Sequence, residues 1–193
     1  MRVSDFQNLK QALLFFHVKE LKELLLKYDL SLKGKKSVLI LRLLRFLKTG
    51  EKIIESPLPT NVYAKQGQLY PLYPYTLILK GAYKNDLKTR LFFKKLIGEH
   101  FHFTAFGQDW IQEQWEKGAP PTYEAFAKMW QKEYERRQRE GSSPKEEWAY
   151  IRFVQSFIRQ FPKASKLMIL GAWEKERQKQ VTLARHLLKT IEK

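Results

Sequence analysis

Lys33, Lys35 and Lys36 flank Gly34, and Arg42 and Arg45 follow them at helical spacing. Cations grouped around a glycine suit a phosphodiester backbone. Glycine has no Cβ to hold the main chain away from a phosphate. A helix that begins after such a turn offers an anion both unpaired N–H groups and the positive end of its dipole. Lys35, Arg42 and Arg45 recur at spacings of seven and three, which places them on one side of a helix that starts by Lys35. A second group of cations, Lys84, Lys88, Arg90, Lys94 and Lys95, forms a separate basic surface.

His100 and His102 are the other residues whose types could do chemistry. On a strand they would share a face and could supply two metal ligands. A transition-metal site needs three or four, and only Asp109 and Glu113 come within reach by sequence. The plainer reading is a compact turn after Gly98 in which the two imidazoles hydrogen-bond, so no metal, no cofactor and no catalytic residue are expected. The sequence carries no carboxylate–lysine spacing of a metal nuclease, no nucleophile elbow, no glycine-rich nucleotide loop and no zinc motif. The expectation is a binding protein and not an enzyme.

The charge of the whole chain agrees with that expectation. Lys and Arg number 36 against 20 Asp and Glu, a net charge of +16 over 193 residues. Such an excess points to a polyanion or an anionic surface. It is densest in residues 1–50 (11 basic, 4 acidic) and again in residues 80–100 (6 basic, 2 acidic). There is no cysteine, which excludes disulfides, thiolate nucleophiles and cysteine zinc sites. The longest apolar run, Val38 to Leu41, is far too short to span a bilayer. No signal peptide is recognisable. These features predict a cytoplasmic protein with no membrane partner: a membrane-surface helix needs a free apolar face beside its basic one, and the pattern reveals only the basic one.

The first cations sit between two amphipathic segments. Val18, Leu21, Leu24, Leu25 and Tyr28 share one helical face, with Lys19, Glu20, Lys22, Glu23 and Lys27 opposite. Asp29 tolerates the left-handed conformation that ends a helix. A second helix opens near Ser37 and closes at Thr49-Gly50. Val38, Leu39, Ile40, Leu41, Leu43, Leu44, Phe46 and Leu47 make it apolar in nearly every direction. It must therefore also pack on the N-terminal segment or on a second domain. Phe6, Leu9, Leu13 and Phe16, at helical spacing, are placed to brace so small a core.

This helix–extended–helix pattern resembles the SAP domain of DNA- and chromatin-associated proteins. The matching residues are Val18-Lys19-Glu20-Leu21-Lys22, then Leu30, Gly34, Lys35 and Lys36, then Leu39, Ile40, Arg42 and Leu43. Lys33 stands where the family often has Ser or Thr, and Asp29 where it often has Gly. The resemblance implies that Gly34, Lys35 and Lys36, with Lys33 and Arg42 in support, contact double-stranded DNA. It also implies a preference for AT-rich, narrow minor grooves.

Residues 51–76 contain Pro57, Pro59, Pro71 and Pro74 and read as an extended linker. Tyr63, Leu69, Tyr70, Leu72, Tyr73 and Tyr75 would anchor it to the protein, and its tyrosines could line a groove that stacks bases. Thr76 to Leu79 could form a short strand. From residue 77 the pattern resembles an uncharacterised bacterial domain that often follows a SAP module, through Tyr83, Lys84, Asn85, Thr89, Arg90, Phe92, Phe93, Ile97, Gly98, His100, Phe101, His102, Phe103 and Trp130. That likeness implies a two-part architecture and no mechanism.

Within residues 77–193 a helix over 87–96 should turn Leu91, Phe92 and Leu96 inward, with Phe93 a further candidate. Another helix runs from about Phe106 to Lys117. Thr122 caps the next one, with Tyr123, Phe126, Ala127, Trp130 and Tyr134 as a core stripe. Ser143-Pro144-Lys145-Glu146 predicts a further helix start, with Trp148, Ile151, Val154 (or Gln155) and Ile158 inward. Pro162 opens the last segment, whose polar stretch Glu174–Gln180 is exposed or marks a bend near Gly171.

The expectation is thus a mainly α-helical protein. A SAP-like module at 1–50 binds DNA through Lys33, Gly34, Lys35, Lys36, Arg42 and Arg45. A linker covers 51–76, and a multi-helix domain at 77–193, packed on or linked to the module, adds basic surface or holds a protein partner. Binding should be weakly sequence-selective, and the protein DNA-associated, on the nucleoid if bacterial. Two alternatives stand beside this: a protein-interaction adaptor working through the helical domain, and an enzyme on nucleic acid centred on His100 and His102.

Overall fold

The computed structural model describes residues 3–52, 56–141 and 143–191. The chain is mainly α-helical, as expected, and forms two compact units: residues 1–54 together with 143–193, and residues 55–142. This division differs from the one expected along the sequence. The stretch 77–193 is not one body, because its last two helices return to the N-terminal helices.

The first unit begins with α1 (Val3–Leu13), α2 (Val18–Lys27) and α3 (Lys36–Thr49) and is completed by α7 (Ala149–Gln160) and α8 (Lys166–Ile191). Leu9, Leu13 and Phe16 are buried and Phe6 packs against them, so the N-terminal segment braces the core as its spacing predicted. α2 starts at a capping box in which the His17 N–H donates to the Glu20 carboxylate at 2.6 Å. It buries Leu21 and Leu25 against Leu39, Ile40, Leu43 and Leu44 of α3. α3 packs on α1 as well as on α2, which accounts for its nearly all-round apolar surface. It ends at Gly50 in the left-handed conformation.

α8 is one helix of 26 residues, roughly 39 Å long at 1.5 Å per residue. It runs through Gly171 without interruption. Its Val181, Ala184 and Leu188 are buried in the same core as α1. The polar stretch Glu174–Gln180 is not exposed all round, since Arg177 turns inward to pair with Glu20 of α2 at 2.5 Å.

α7 starts five residues later than the Ser143 signal predicts, with Trp148 and not Ser143 at its cap. Glu146, which would close a capping box at Ser143, is instead taken by Lys10 at 3.0 Å and Gln11 at 3.1 Å, both on α1. Residues 145–148 form a turn, with the Trp148 N–H on the Lys145 carbonyl. The inward face expected for this helix does not form either. Trp148, Ile151 and Ile158 are exposed, and only Ala149 of α7 is buried. The helix lies mainly against α8, and one neighbour cannot cover so wide an apolar arc.

The second unit holds a short 3-10 turn at Thr60–Val62, then α4 (Leu87–Ile97), α5 (Ala105–Glu116) and α6 (Tyr123–Glu140). Its core is aromatic: Phe93, Phe101, Tyr123, Phe126 and Trp130 with Ile78 and Ile111. Residues 56–76 belong to this unit and are no free linker; Val62 is buried and Leu72 packs against the aromatic core. Among the described residues there is no regular strand. Residues 76–80 make isolated bridges on both sides, Tyr63 with Lys80 and Leu77 with Thr122. The Trp115 indole N–H donates to the Ile78 carbonyl at 2.8 Å and pins the segment across α5.

The helix caps set the registers here. Thr104 and Thr122 accept from the Gly107 and Ala125 N–H groups. The core stripe of α6 forms as predicted. On α4 the inward face is different. Asp86 caps the helix through the Thr89 N–H at 2.8 Å, and from that start Thr89, Phe93 and Ile97 fall one below another. Phe93 is fully buried, Phe92 is half-buried, and Leu91 and Leu96, expected inward, are exposed.

Candidate nucleic-acid interface

The segment between α2 and α3 is held from both ends. Asp29 adopts φ of 51°, and the Leu30 N–H returns to the Leu25 carbonyl at 2.9 Å, closing α2. Leu30 is then buried, which fixes where the chain leaves the core. Gly34 has φ of +109°, and a Cβ there would stand 2.9 Å from Cγ1 of Val38. Both facts require glycine without reference to any ligand. Lys35 is extended and precedes α3, whose N-terminus no side chain caps. Lys33, Gly34 and Lys35 are exposed together at that end.

Three of the expected contact residues take other roles. Arg42 is 2% exposed. Its Nη1 donates to the carbonyls of Ser31 at 2.6 Å and Lys33 at 2.8 Å, so it holds the turn from behind and presents nothing to a phosphate. Lys36 reaches back across the unit and donates to the Leu14 carbonyl at 2.5 Å, just past the end of α1. Burial first, and then the nearby Arg177 charge, hold its ammonium pKa below 10.5. Arg45 is exposed but pairs with Glu51 at 3.2 Å. The surface of the turn therefore narrows to Lys33, Gly34 and Lys35.

The second basic group lies on its own unit. Lys84, Lys88 and Lys95 are exposed. Arg90 is exposed too, with its guanidinium 5.6 Å from the centre of the Phe103 ring. Lys94 pairs with Glu99 at 2.7 Å. The tyrosines singled out by sequence divide. Tyr73 and Tyr75 stack on each other at 5.4 Å and are exposed, while Tyr63 sits under the Lys80 ammonium.

His100 and His102 edge the aromatic core: His100 lies 4.7 Å from the Tyr134 ring, and His102 meets Trp130 edge-on. Among the described residues no group of three or more His, Asp or Glu is arranged to hold a metal ion. Sequence reasoning missed a network beside α4. The Gln108 amide donates to the Tyr83 hydroxyl and to Asn85 Oδ1, both at 3.0 Å, and that hydroxyl donates to Asn85 at 2.7 Å. Burial pushes the Tyr83 phenol up to about 12, so at neutral pH it acts as a hydrogen-bonding strut. The i, i+2 spacing of Tyr83 and Asn85 was the available signal, but Gln108 arrives from another helix.

No protein-family model, curated protein or solved structure matches this chain. Among the described residues no helix is long and apolar enough to cross a membrane.

Proposed function

We propose that this protein binds double-stranded DNA through the turn that enters α3, by phosphate contacts and without catalysis. The observation that carries this reading is the joint exposure of Lys33, Gly34 and Lys35 at an α3 N-terminus that no side chain caps. A phosphate at that end meets main-chain N–H groups and the positive pole of a 14-residue helix. The two flanking ammonium groups add charge without a fixed geometry. Arg42 supports the reading from behind, because a turn tied to α3 loses little entropy on binding.

Backbone contacts of this kind fix position and carry little sequence information. Affinity should fall steeply with salt and depend weakly on sequence, with any preference arising from groove shape. Lys84, Lys88, Arg90 and Lys95 add a second, non-specific attraction from the other unit. The protein would then be DNA-associated in the cell. The test is binding of a DNA duplex across a salt series, wild type against Lys33→Ala/Lys35→Ala.

A further inference from the structure

From Trp148 to Trp173 the chain contains no Asp or Glu, and its cations are Arg152, Arg159, Lys163 and Lys166. This stretch forms α7, a turn and the first part of α8. Helical geometry gathers Tyr150, Ile151, Phe153, Val154, Phe157 and Ile158 on one arc of α7, with Arg152, Gln155, Ser156 and Arg159 opposite. Arg152, Gln155, Ser156 and Arg159 are exposed and line an open cleft with Gln11 and Glu146. On the apolar arc Phe153, Val154 and Phe157 are half-buried, while Tyr150, Ile151 and Ile158 stay exposed.

α8 covers part of that arc. Trp173 meets Tyr150 at 5.2 Å and Phe153 at 5.4 Å. At the far end Ile158, Phe161, Leu167 and Met168 are exposed, Leu167 by 81%, with Phe161 touching only the edge of this face through Phe157 at 4.9 Å. The turn is nonetheless built. The Ala164 N–H bonds to the Phe161 carbonyl, and Ser165 caps α8 through the Met168 N–H at 3.3 Å. Lys163 and Lys166 stand between the protruding apolar side chains.

We propose that this helical hairpin docks on an anionic phospholipid surface. Phe161, Leu167 and Met168 enter the boundary between headgroups and acyl chains, and Lys163 and Lys166 meet lipid phosphates. The charge decides among occupants. A second copy would set these cations against their own equivalents. A surface free of carboxylates and rimmed by cations is complementary to an anion. Side chains that protrude from a tip, and do not line a groove, gain most from a surface that yields around them. Lysine stems can lie along the apolar zone with their ammonium groups at headgroup level. The structure thus supplies the free apolar face that the sequence did not reveal. Docking lays the hairpin on the surface; it crosses nothing. The inference uses none of the turn residues and stands apart from DNA binding.

Sedimentation of the full chain with vesicles tests it, comparing phosphatidylcholine vesicles that contain phosphatidylglycerol with phosphatidylcholine alone. The wild type should bind the anionic vesicles and not the neutral ones. Phe161→Ser/Leu167→Ser/Met168→Ser should weaken binding at least tenfold, and Lys163→Gln/Lys166→Gln several-fold. Lys33→Ala/Lys35→Ala should bind vesicles as wild type does, and the serine variant should keep its affinity for duplex DNA. If the triple variant does not fold, Leu167→Ser alone carries the test, with a several-fold loss expected. Failure of the wild type to bind, equal binding to both vesicle types, or undiminished binding by the serine variant would overturn the proposal. So would a concentration-dependent dimer that the serine variant abolishes, since a second copy would then cover the face.

Discussion

Arg42 of α3 donates to the main-chain carbonyl of Lys33 at 2.8 Å, tying the exposed cationic turn to the buried core. The same guanidinium nitrogen holds the Ser31 carbonyl, so one buried side chain fixes two points of the turn. Arg42→Ala leaves both carbonyls without this partner and opens a void. It should cost about 2–4 kcal/mol of stability, read from the midpoint of urea unfolding. Arg42→Lys should recover only part of the loss, because the shorter lysine side chain does not bring its ammonium to the position that Nη1 holds between the two carbonyls.

Gly34 is required by its own geometry. Gly34→Ala meets both a disfavoured φ and the Val38 side chain, and should cost about 1–2 kcal/mol. Adding Val38→Ala removes the clash but not the backbone strain. The double variant should therefore be relieved of only part of the penalty incurred by Gly34→Ala, as a double-mutant cycle would measure.

The Glu20–Arg177 pair joins α2 to α8 and makes the first unit sensitive to acid. Burial opposes the Glu20 charge. The Arg177 hydrogen bond and charge and the His17 N–H together outweigh it, and the carboxyl is held below its ordinary 4.5. A carboxylate with a lowered folded-state pKa contributes stability above the unfolded-state value and loses it as pH falls through the folded one. Stability should thus decline below about pH 4.5, and Glu20→Gln should be less stable at pH 7 with a flatter profile in acid. Denaturant midpoints measured down the pH series check this.

In the second unit two neighbouring apolar residues of α4 should behave oppositely. Phe93 is fully buried among aromatic rings, whereas Leu91 is 50% exposed. Phe93→Ala should cost about 3–5 kcal/mol, and Leu91→Ser should stay within about 0.5 kcal/mol of wild type. Thermal unfolding of the two variants separates them.

What the sequence disclosed was local. The Thr122 cap and the α6 stripe, Asp29 as a helix end and Gly50 as a C-terminal stop all lie within a few residues of their signals. What it hid depends on distant partners. Periodicity names an apolar face but not what covers it, so the return of α8 to α1 left no local mark. Glu146 looked like a capping residue until Lys10 and Gln11 claimed it. Arg42 and Arg45 share a helix side by spacing, yet three residues along a helix turn the side chain by about 60°. At the edge of a core that rotation separates a buried guanidinium from an exposed one. Lys36 was indistinguishable from Lys35 in sequence, yet in the structure Lys36 is half-buried on the Leu14 carbonyl and Lys35 is exposed.

That last distinction gives the most direct test of the central claim. Duplex DNA binding should be followed by fluorescence anisotropy across a salt series for wild type, Lys33→Ala/Lys35→Ala and Lys36→Ala. The account predicts that the double variant binds more weakly, with a salt slope shallower by about 1.8, two phosphate contacts at 0.9 each. Lys36→Ala should lose stability while keeping the wild-type slope. Wild-type slope and affinity in the Lys33→Ala/Lys35→Ala protein, or no duplex binding by the wild type at low salt, would contradict it.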